Sequence, residues 1–298
     1  MKNIDFAVVG GSYAGMSAAL QLARGHRHVL VVDAGQRRNR FVDVAGQAAH
    51  GFLTQDGHAP AEIAAIAKQQ LLAYPTVQWL DGTATDARVA SDGRLEFNVD
   101  TNAISAGRLI IATGVRDELP PVPGLAERWG HSVFHCPYCH GYEMNKGQIG
   151  IVAASTLAQH HAVMLPDWGT TTLFLNGAYT PDKEQLAAIT RRGTKVESAL
   201  IERIDGVADV VLKDGRTFTM NGLFTQPRTL LSSPIAKQLG CILEDGPMGI
   251  FIKVDEAKTT SVPNVFACGD AARAAGNVTL AAADGAVAAF AAHRSAMV

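Results

Sequence analysis

Cysteine is scarce in this chain of 298 residues: there are four, and two of them, Cys241 and Cys268, stand alone. That is too few for the disulfide framework of a small secreted domain. Charge is scarce as well. Charged residues make up 18% of the chain and the net charge is only -2, which leaves no basic footprint for nucleic acid or an anionic membrane. Also missing is any apolar run as long as the roughly 20 residues of a membrane-spanning helix. The first residues enter an apolar stretch at 4–9 without the charged region and cleavage site of a leader. The expected setting is a reducing cytoplasm, where a close cysteine pair is more often catalytic than structural. With 47% apolar residues, the chain has enough material for packed cores, and its length allows two domains.

Against that background the first forty residues carry a dense pattern. The run 4–9 reads as a strand buried on both faces of a parallel sheet. It feeds Gly10-Gly11-Ser12-Tyr13-Ala14-Gly15, then an Ala- and Leu-rich stretch at 16–23 that reads as a helix, then a second apolar run at 28–32 ending at Asp33. Strand, glycine turn, helix, strand and acidic residue, in that order, make a dinucleotide-binding unit. Glycines permit the tight turn and close helix packing, the helix N-terminus accepts a pyrophosphate, and the carboxylate accepts ribose hydroxyls. Asp33 would repel a 2'-phosphate, so the unit suits an unphosphorylated AMP moiety, as in FAD or NAD. Ser12 stands where the fingerprint has its middle glycine, but serine is small and its hydroxyl can donate to phosphate. Gly10, Ser12, Tyr13, Ala14, Gly15 and Asp33 are the expected contacts; the alternative is a glycine turn in a βαβ unit that binds no nucleotide. Arg37-Arg38-Asn39-Arg40 follows, either as a cation source for the pyrophosphate, with Arg40 the residue to name, or as a solvated basic loop.

Two later segments have matching form. Arg108-Leu109-Ile110-Ile111-Ala112-Thr113-Gly114 is an apolar strand ending in a small-residue turn, and Asn264-Val265-Phe266-Ala267-Cys268-Gly269-Asp270 is another, ending in an acid. The whole chain resembles the flavoprotein disulfide reductases that carry two dinucleotide domains. The resemblance implies that the first motif binds FAD, that Gly114 closes the FAD domain, and that Gly269 and Asp270 return from far down the chain so that Asp270 holds the ribityl chain. A helix starting near Val278 would aim its positive end at the flavin. The expected fold class is α/β, with two Rossmann-like domains and a discontinuous FAD domain. That domain takes residues 1–115 and 245–298, and a nicotinamide-type domain carrying the CxxC takes 116–244. The joints are Leu119-Pro120-Pro121-Val122-Pro123-Gly124 and Gly246-Pro247.

In the middle unit the run 148–152 reads as the first strand. The turn after it, Ala153-Ala154-Ser155-Thr156-Leu157-Ala158, lacks both glycines of a nicotinamide dinucleotide site. The next strand, 171–175, ends in Asn176-Gly177-Ala178-Tyr179, which supplies neither a carboxylate for a 2'-hydroxyl nor arginines for a 2'-phosphate. Arg191 and Arg192 come too late to fit that pattern. The fold of a nicotinamide domain is expected without its binding chemistry, which leaves NADPH or NADH doubtful as a cofactor.

Cys136-Pro137-Tyr138-Cys139 lies ahead of that strand. A close second thiol lowers the first one's pKa and can resolve a mixed disulfide, so the pair is a redox candidate. Its placement resembles that of the low-molecular-weight thioredoxin reductases, which implies that Cys139 faces the flavin and Cys136 meets the substrate. The same tetrad marks glutaredoxins, but there it follows the first strand of a small domain. A zinc half-site with His135 and His140 lacks a second close pair, and no metal is expected. Where thioredoxin reductases carry Asp after the second cysteine, this chain has His140. The run 136–143 thereby resembles thioredoxin-reductase-like dithiol oxidases of natural-product pathways, in which FAD takes electrons from a bound dithiol and passes them to oxygen. Histidine near neutral pKa can take and return a thiol proton, so His140 is the acid/base candidate, and His135 could share the task. His160-His161 reads as the polar face of a helix, because adjacent residues do not share a face. His50 and Asp56 lie where relatives place flavin-side loops, Cys268 reads as a buried small residue, and Cys241 has no legible role.

The expected function is an FAD-dependent thiol–disulfide oxidoreductase that passes electrons between flavin, the Cys136/Cys139 pair and an external small dithiol, disulfide or thioredoxin-like protein. The resemblance implies a homodimer; neither nucleic acid nor membrane is an expected partner. Two alternatives stay open: a conventional NADPH-dependent thioredoxin reductase and a non-catalytic redox-sensing flavoprotein.

Overall fold

The computed structural model describes residues 2–297. Its first sheet has seven strands. Lys2–Val9 lies at the centre, parallel to Val29–Asp33 on one side and to Asn102–Ile111 on the other. Val77–Asp81 extends the first side, and Val265–Ala267 pairs with Asn102–Ile111 in parallel. Strands buried on both faces need continuous apolar sequence, and Ala7, Val8, Val31, Leu109, Ile110 and Ile111 are fully enclosed. A second sheet has five strands, all parallel: Lys195–Glu197, Gly169–Phe174, Lys146–Val152, Gly222–Phe224 and Val133–Phe134. The two sheets with their helices form the α/β architecture expected from the sequence.

The helix Tyr13–Arg24 packs between the first sheet and the C-terminal helix Val278–Ser295. Its buried face is almost all small: Ala14, Gly15, Ala18, Ala19 and Ala23, with Met16 and Leu22. The facing positions on the C-terminal helix are Gly285, Ala288, Ala289, Ala291 and Ala292. Small faces let backbones touch. A Cβ on Gly15 would lie 1.7 Å from the Gly10 carbonyl oxygen, and one on Gly285 would lie 2.0 Å from that of Ala14.

A four-stranded sheet joins Val115–Glu118 to Arg228–Leu231, Gly249–Ile252 and Leu243–Gly246. The sequence division puts residues up to 244 in the second unit. In the structure Ile235, Ala236, Leu239 and Cys241 instead pack into the same core as Ile4, Leu95 and Ile111. The chain therefore rejoins the first core before 245, through the short helix Ile235–Gln238, whose two buried residues are too few to show a period in sequence.

Gly285→Ala is expected to force the two helices apart and destabilise the protein by about 1–3 kcal/mol, the usual cost of overpacking. Thermal unfolding followed by circular dichroism checks this. An unchanged midpoint would show that the helices separate at no cost.

Candidate active site

Gly10 ends the central strand at φ +116, where a Cβ would collide with the Ala112 carbonyl at 2.2 Å. The chain then turns into its helix with Ser12 as N-cap in extended backbone, its hydroxyl making no cap bond. An uncommitted N-cap hydroxyl and free helix N–H groups are the ingredients of an anion site. Asp33 closes the second strand and accepts from the N–H groups of Gly11 (3.3 Å) and Gly35 (3.1 Å), both on Oδ1. Among the described residues no hydrogen bond to Oδ2 is made.

These residues border a cavity of about 370 Å³. Gly10, Ser12, Tyr13, Ala14 and Asp33 line it. Gly114, at φ +65, and Gly269, at φ +66, line it together with Asp270. Asn277 caps the C-terminal helix by accepting from Leu280 N–H at 2.9 Å, and Val278 behind it opens that helix end on the same space. Cys139, His135 and His140 line it too. Gly15 is buried behind the wall, where it permits the close approach.

Arg40 does not join this lining. Its guanidinium turns back to the carbonyls of Gln36 and Arg37 and over the Phe41 ring. Arg37 and Arg38 take the place expected of it. Arg38 donates through Nε to Asp117 Oδ2 at 2.9 Å, through Nη2 to Asp117 Oδ1 at 2.5 Å and through Nη1 to Asp270 Oδ2 at 3.2 Å. Burial works against its charge, but the two carboxylates outweigh this and raise its pKa above the ordinary value. The run of arginines was visible in the sequence, but which of them points inward depends on Asp117 and Asp270, 79 and 232 residues away.

Two further polar atoms in this lining, Asn39 Oδ1 and Arg37 Nε, are buried with no hydrogen-bond partner among the described residues. A cavity bordered by two helix N-termini, the Asp33 carboxylate, residues with unmet polar atoms and side-chain-free backbone at Gly10 fits a dinucleotide such as FAD. The corresponding positions of the second unit do not. Ala153 is buried with its N–H on the Phe174 carbonyl, Ser155 Oγ accepts from Leu157 N–H, and Asn176 Oδ1 accepts from Ile201 N–H.

Cys136 and Cys139 form a disulfide. Cys136 is N-cap of the single turn Pro137–His140, and Pro137 at its first position is preset for a helix. One helical turn puts residues i and i+3 side by side, here with 5.3 Å between Cα atoms. Gly141 follows because a Cβ there would strike the Pro137 carbonyl at 2.5 Å and the Trp168 ring at 2.7 Å. The two sulfurs' residues face different spaces. Cys139 lines the first cavity, and Cys136 lines a second one of about 330 Å³.

His140 stacks on Phe134, ring centroids 4.2 Å apart. Burial, helped by the nearby His50, holds its pKa down to about 4, so the ring is neutral at pH 7. His50 reaches Glu143 at 3.3 Å and Asp56 at 3.6 Å, tying its loop to the segment after the disulfide. His135 lies well below the ordinary histidine range, first through burial and then through Arg38, His140 and His161. His161 corrects the sequence expectation. It is 2% exposed rather than on a polar face, and burial followed by His160 brings its pKa to about 4 against the opposing pull of the His135 backbone. A seven-residue helix is too short for its hydrophobic period to reveal this. Cys268 is buried, its pKa pushed up to about 12 by burial and then by Asp284, and Cys241 is buried beside Thr260, so neither is a reactive thiol.

The family model described as pyridine nucleotide-disulphide oxidoreductase matches residues 4–286. A protein named thioredoxin reductase tcpT, from Claviceps purpurea, is 32% identical over 90% of this chain and 86% of its own length. Among solved structures, an oxidoreductase from Agrobacterium tumefaciens is 53% identical with a TM-score of 0.95, covering 100% of this chain and 99% of that one. The structure of HlmI is 32% identical with a TM-score of 0.90, covering 99% and 93%.

The depressed histidines make stability pH-dependent. With folded pKa values near 4 for His140 and His161 against an ordinary 6.5, the unfolded chain binds more protons between those values. Their contribution is therefore complete above pH 6.5 and is lost as pH falls toward 4. Urea midpoints at pH 6.5 and 4.5 are expected to differ less in His161→Phe than in the wild type, and equal differences would show that His161 protonates freely when folded.

Proposed function

The chain belongs to the pyridine nucleotide-disulphide oxidoreductase family as a thioredoxin-reductase-like flavoprotein, and on that premise we propose that it exchanges electrons between FAD in the first cavity and a small dithiol or disulfide in the second, through Cys136 and Cys139. The observation that carries this reading is the placement of the disulfide, with Cys139 on one cavity and Cys136 on the other. We take the protein to act as a homodimer, as the resemblance implies, in the reducing cytoplasm that its cysteine usage suggests. Among the described residues no helix is long and apolar enough to cross a membrane.

FAD supplies the two-electron partner of the Cys139 sulfur. The chain does the rest. Asp33 holds the adenosine ribose, while Ser12 and the helix end behind it hold the pyrophosphate. Asp270, steadied by Arg38, accepts from the ribityl hydroxyls. The N-terminus of Val278–Ser295 offers positive potential at the cavity. His140 has its pKa brought down to about 4 rather than the near-neutral value expected from the sequence, so it is a weak base at the Cys139 end and gives up any proton it takes there readily.

Ala153, Ser155 and Asn176 are engaged within the fold, which supports a dithiol rather than NADPH or NADH as the donor. Electrons then leave to oxygen or another acceptor, as the resemblance to dithiol oxidases implies.

The purified chain is expected to carry about one FAD per chain, and Asp270→Ala to retain it less well by roughly 1.5–3 kcal/mol, the worth of a charge-assisted hydrogen bond. Extraction of FMN, or of no flavin after reconstitution, would refute the assignment.

Anaerobic mixing is expected to show flavin bleaching by a small dithiol, and slow or no bleaching by sub-millimolar NADPH or NADH. Cys136→Ser and Cys139→Ser should each abolish dithiol bleaching with FAD still bound, and His140→Asn should slow it by about 10²–10⁴. Fast bleaching by NADPH would restore a conventional reductase, and full activity in either cysteine variant would remove the pair from the mechanism.

A further inference from the structure

The second cavity carries polar groups that the exchange chemistry leaves unused. His161 Nδ1, Gln226 Oε1 and Arg273 Nε are all buried without a hydrogen-bond partner among the described residues, and all three residues line the cavity on which Cys136 opens. They come from separate places in the chain: the helix Ala158–Met164, the segment after Gly222–Phe224, and the loop before the C-terminal helix. Buried polar atoms are almost always satisfied. Three unmet ones on one wall, beside a redox cysteine, mark the place of a ligand's own donors and acceptors.

Leu157, Met164, Pro137 and Met248 give the cavity an apolar part, and Arg38, His135, His160, Thr229 and Asp270 border it as well. At about 330 Å³ the space is that of a small molecule. Arg273 is fixed by Asp284, which accepts from its Nη1 at 2.9 Å and also pairs with Lys258 at 2.8 Å, so its Nε is held in place. Burial keeps His161 neutral at pH 7, and a neutral imidazole has one acceptor nitrogen.

We propose that this wall selects a small, apolar-bodied dithiol or disulfide that carries hydroxyl or N–H groups. Gln226 Oε1 and His161 Nδ1 accept from those groups, Arg273 Nε donates to an oxygen, and the ligand's sulfur is thereby set against Cys136. The inference rests on the dithiol–disulfide reading above and names the substrate class of the same site. In the exchange step, the first substrate thiolate bonds to Cys136 Sγ, the Cys136–Cys139 bond breaks, and Cys139 leaves as a thiolate. The second substrate thiolate then bonds to the first substrate sulfur and displaces Cys136. One S–S bond forms in the substrate and one is lost in the protein; two electrons pass to the cysteine pair, and two thiol protons are released. The reverse sequence reduces a substrate disulfide. Gln226, His161 and Arg273 act as positioning residues, binding the ligand without entering the exchange.

Dithiothreitol and butane-1,4-dithiol test this, because they share one carbon–sulfur skeleton and differ in two hydroxyls. Flavin bleaching of the holoprotein gives a half-saturating concentration and a limiting rate for each. Differences in intrinsic thiol reactivity cancel in the ratio of variant to wild type. Gln226→Leu and His161→Phe are each expected to raise the half-saturating concentration of dithiothreitol by about 3–10-fold, the worth of one hydrogen bond, while changing that of butanedithiol by less than about twofold and leaving limiting rates similar. Gln226 is the less buried of the two, so it keeps the test open if the His161 variant folds poorly. Parallel shifts for both dithiols, or no shift for either in Gln226→Leu, overturn the proposal. Bleaching of the wild type by a reduced thioredoxin but by neither small dithiol also overturns it, with the disulfide oxidoreductase reading intact. Bleaching by none of the three would sink both.

Discussion

Backbone touches backbone at two glycines, and the position of the candidate site follows from those contacts. Gly15 seats the first helix against the Gly10 carbonyl, and Gly285 seats the last helix against that of Ala14. A methyl group at either point would wedge the layers apart by more than a packed interior tolerates. Because the three elements meet so closely, the N-termini of two helices distant in sequence open on one cavity. The potential they create belongs to the packing as much as to any charged side chain.

Arg38 is a second device for holding remote parts in place. Its guanidinium joins Asp117 and Asp270, so three segments of the chain share one half-buried cation. Removing one partner from such a group strands a charge in a poorly solvated place. The same cation borders both cavities and disfavours a proton on His135. Around the disulfide, then, His135, His140 and His161 are neutral at pH 7 and the fixed positive charge comes from arginine, which does not titrate in the working range.

The parts of this site that were legible in the sequence are those written by local spacing. The glycine turn, Asp33 and the return at Gly269 and Asp270 have fixed offsets from apolar strands, and a one-turn CxxC carries its geometry with it. Arg38 was hidden because its direction depends on carboxylates far away in the chain, whereas neighbouring Arg40, which the sequence offered, turns away from the cavity lining. His161 was hidden because its helix spans two turns and its burial comes from the second sheet and Phe224. Gln226 and Arg273 bear no motif at all. Their common address beside Cys136 exists only after folding. The stretch 235–241 misled for a related reason, since its attachment to the first core runs through two buried side chains of one short helix.

The one-turn disulfide also works as a partition. Its two cysteines line different cavities, so whatever lies beside Cys136 meets many residues that do not border the first cavity, while Arg38, Val115, His135, Asp270 and Gly276 border both. Leu157, His161, Gln226 and Met248 border the outer chamber alone. Substitutions at such positions can redraw what is admitted without disturbing how the inner chamber is built. The scaffold thus has two settings, one for each chamber, and substitution can turn the second while the first stays as it is.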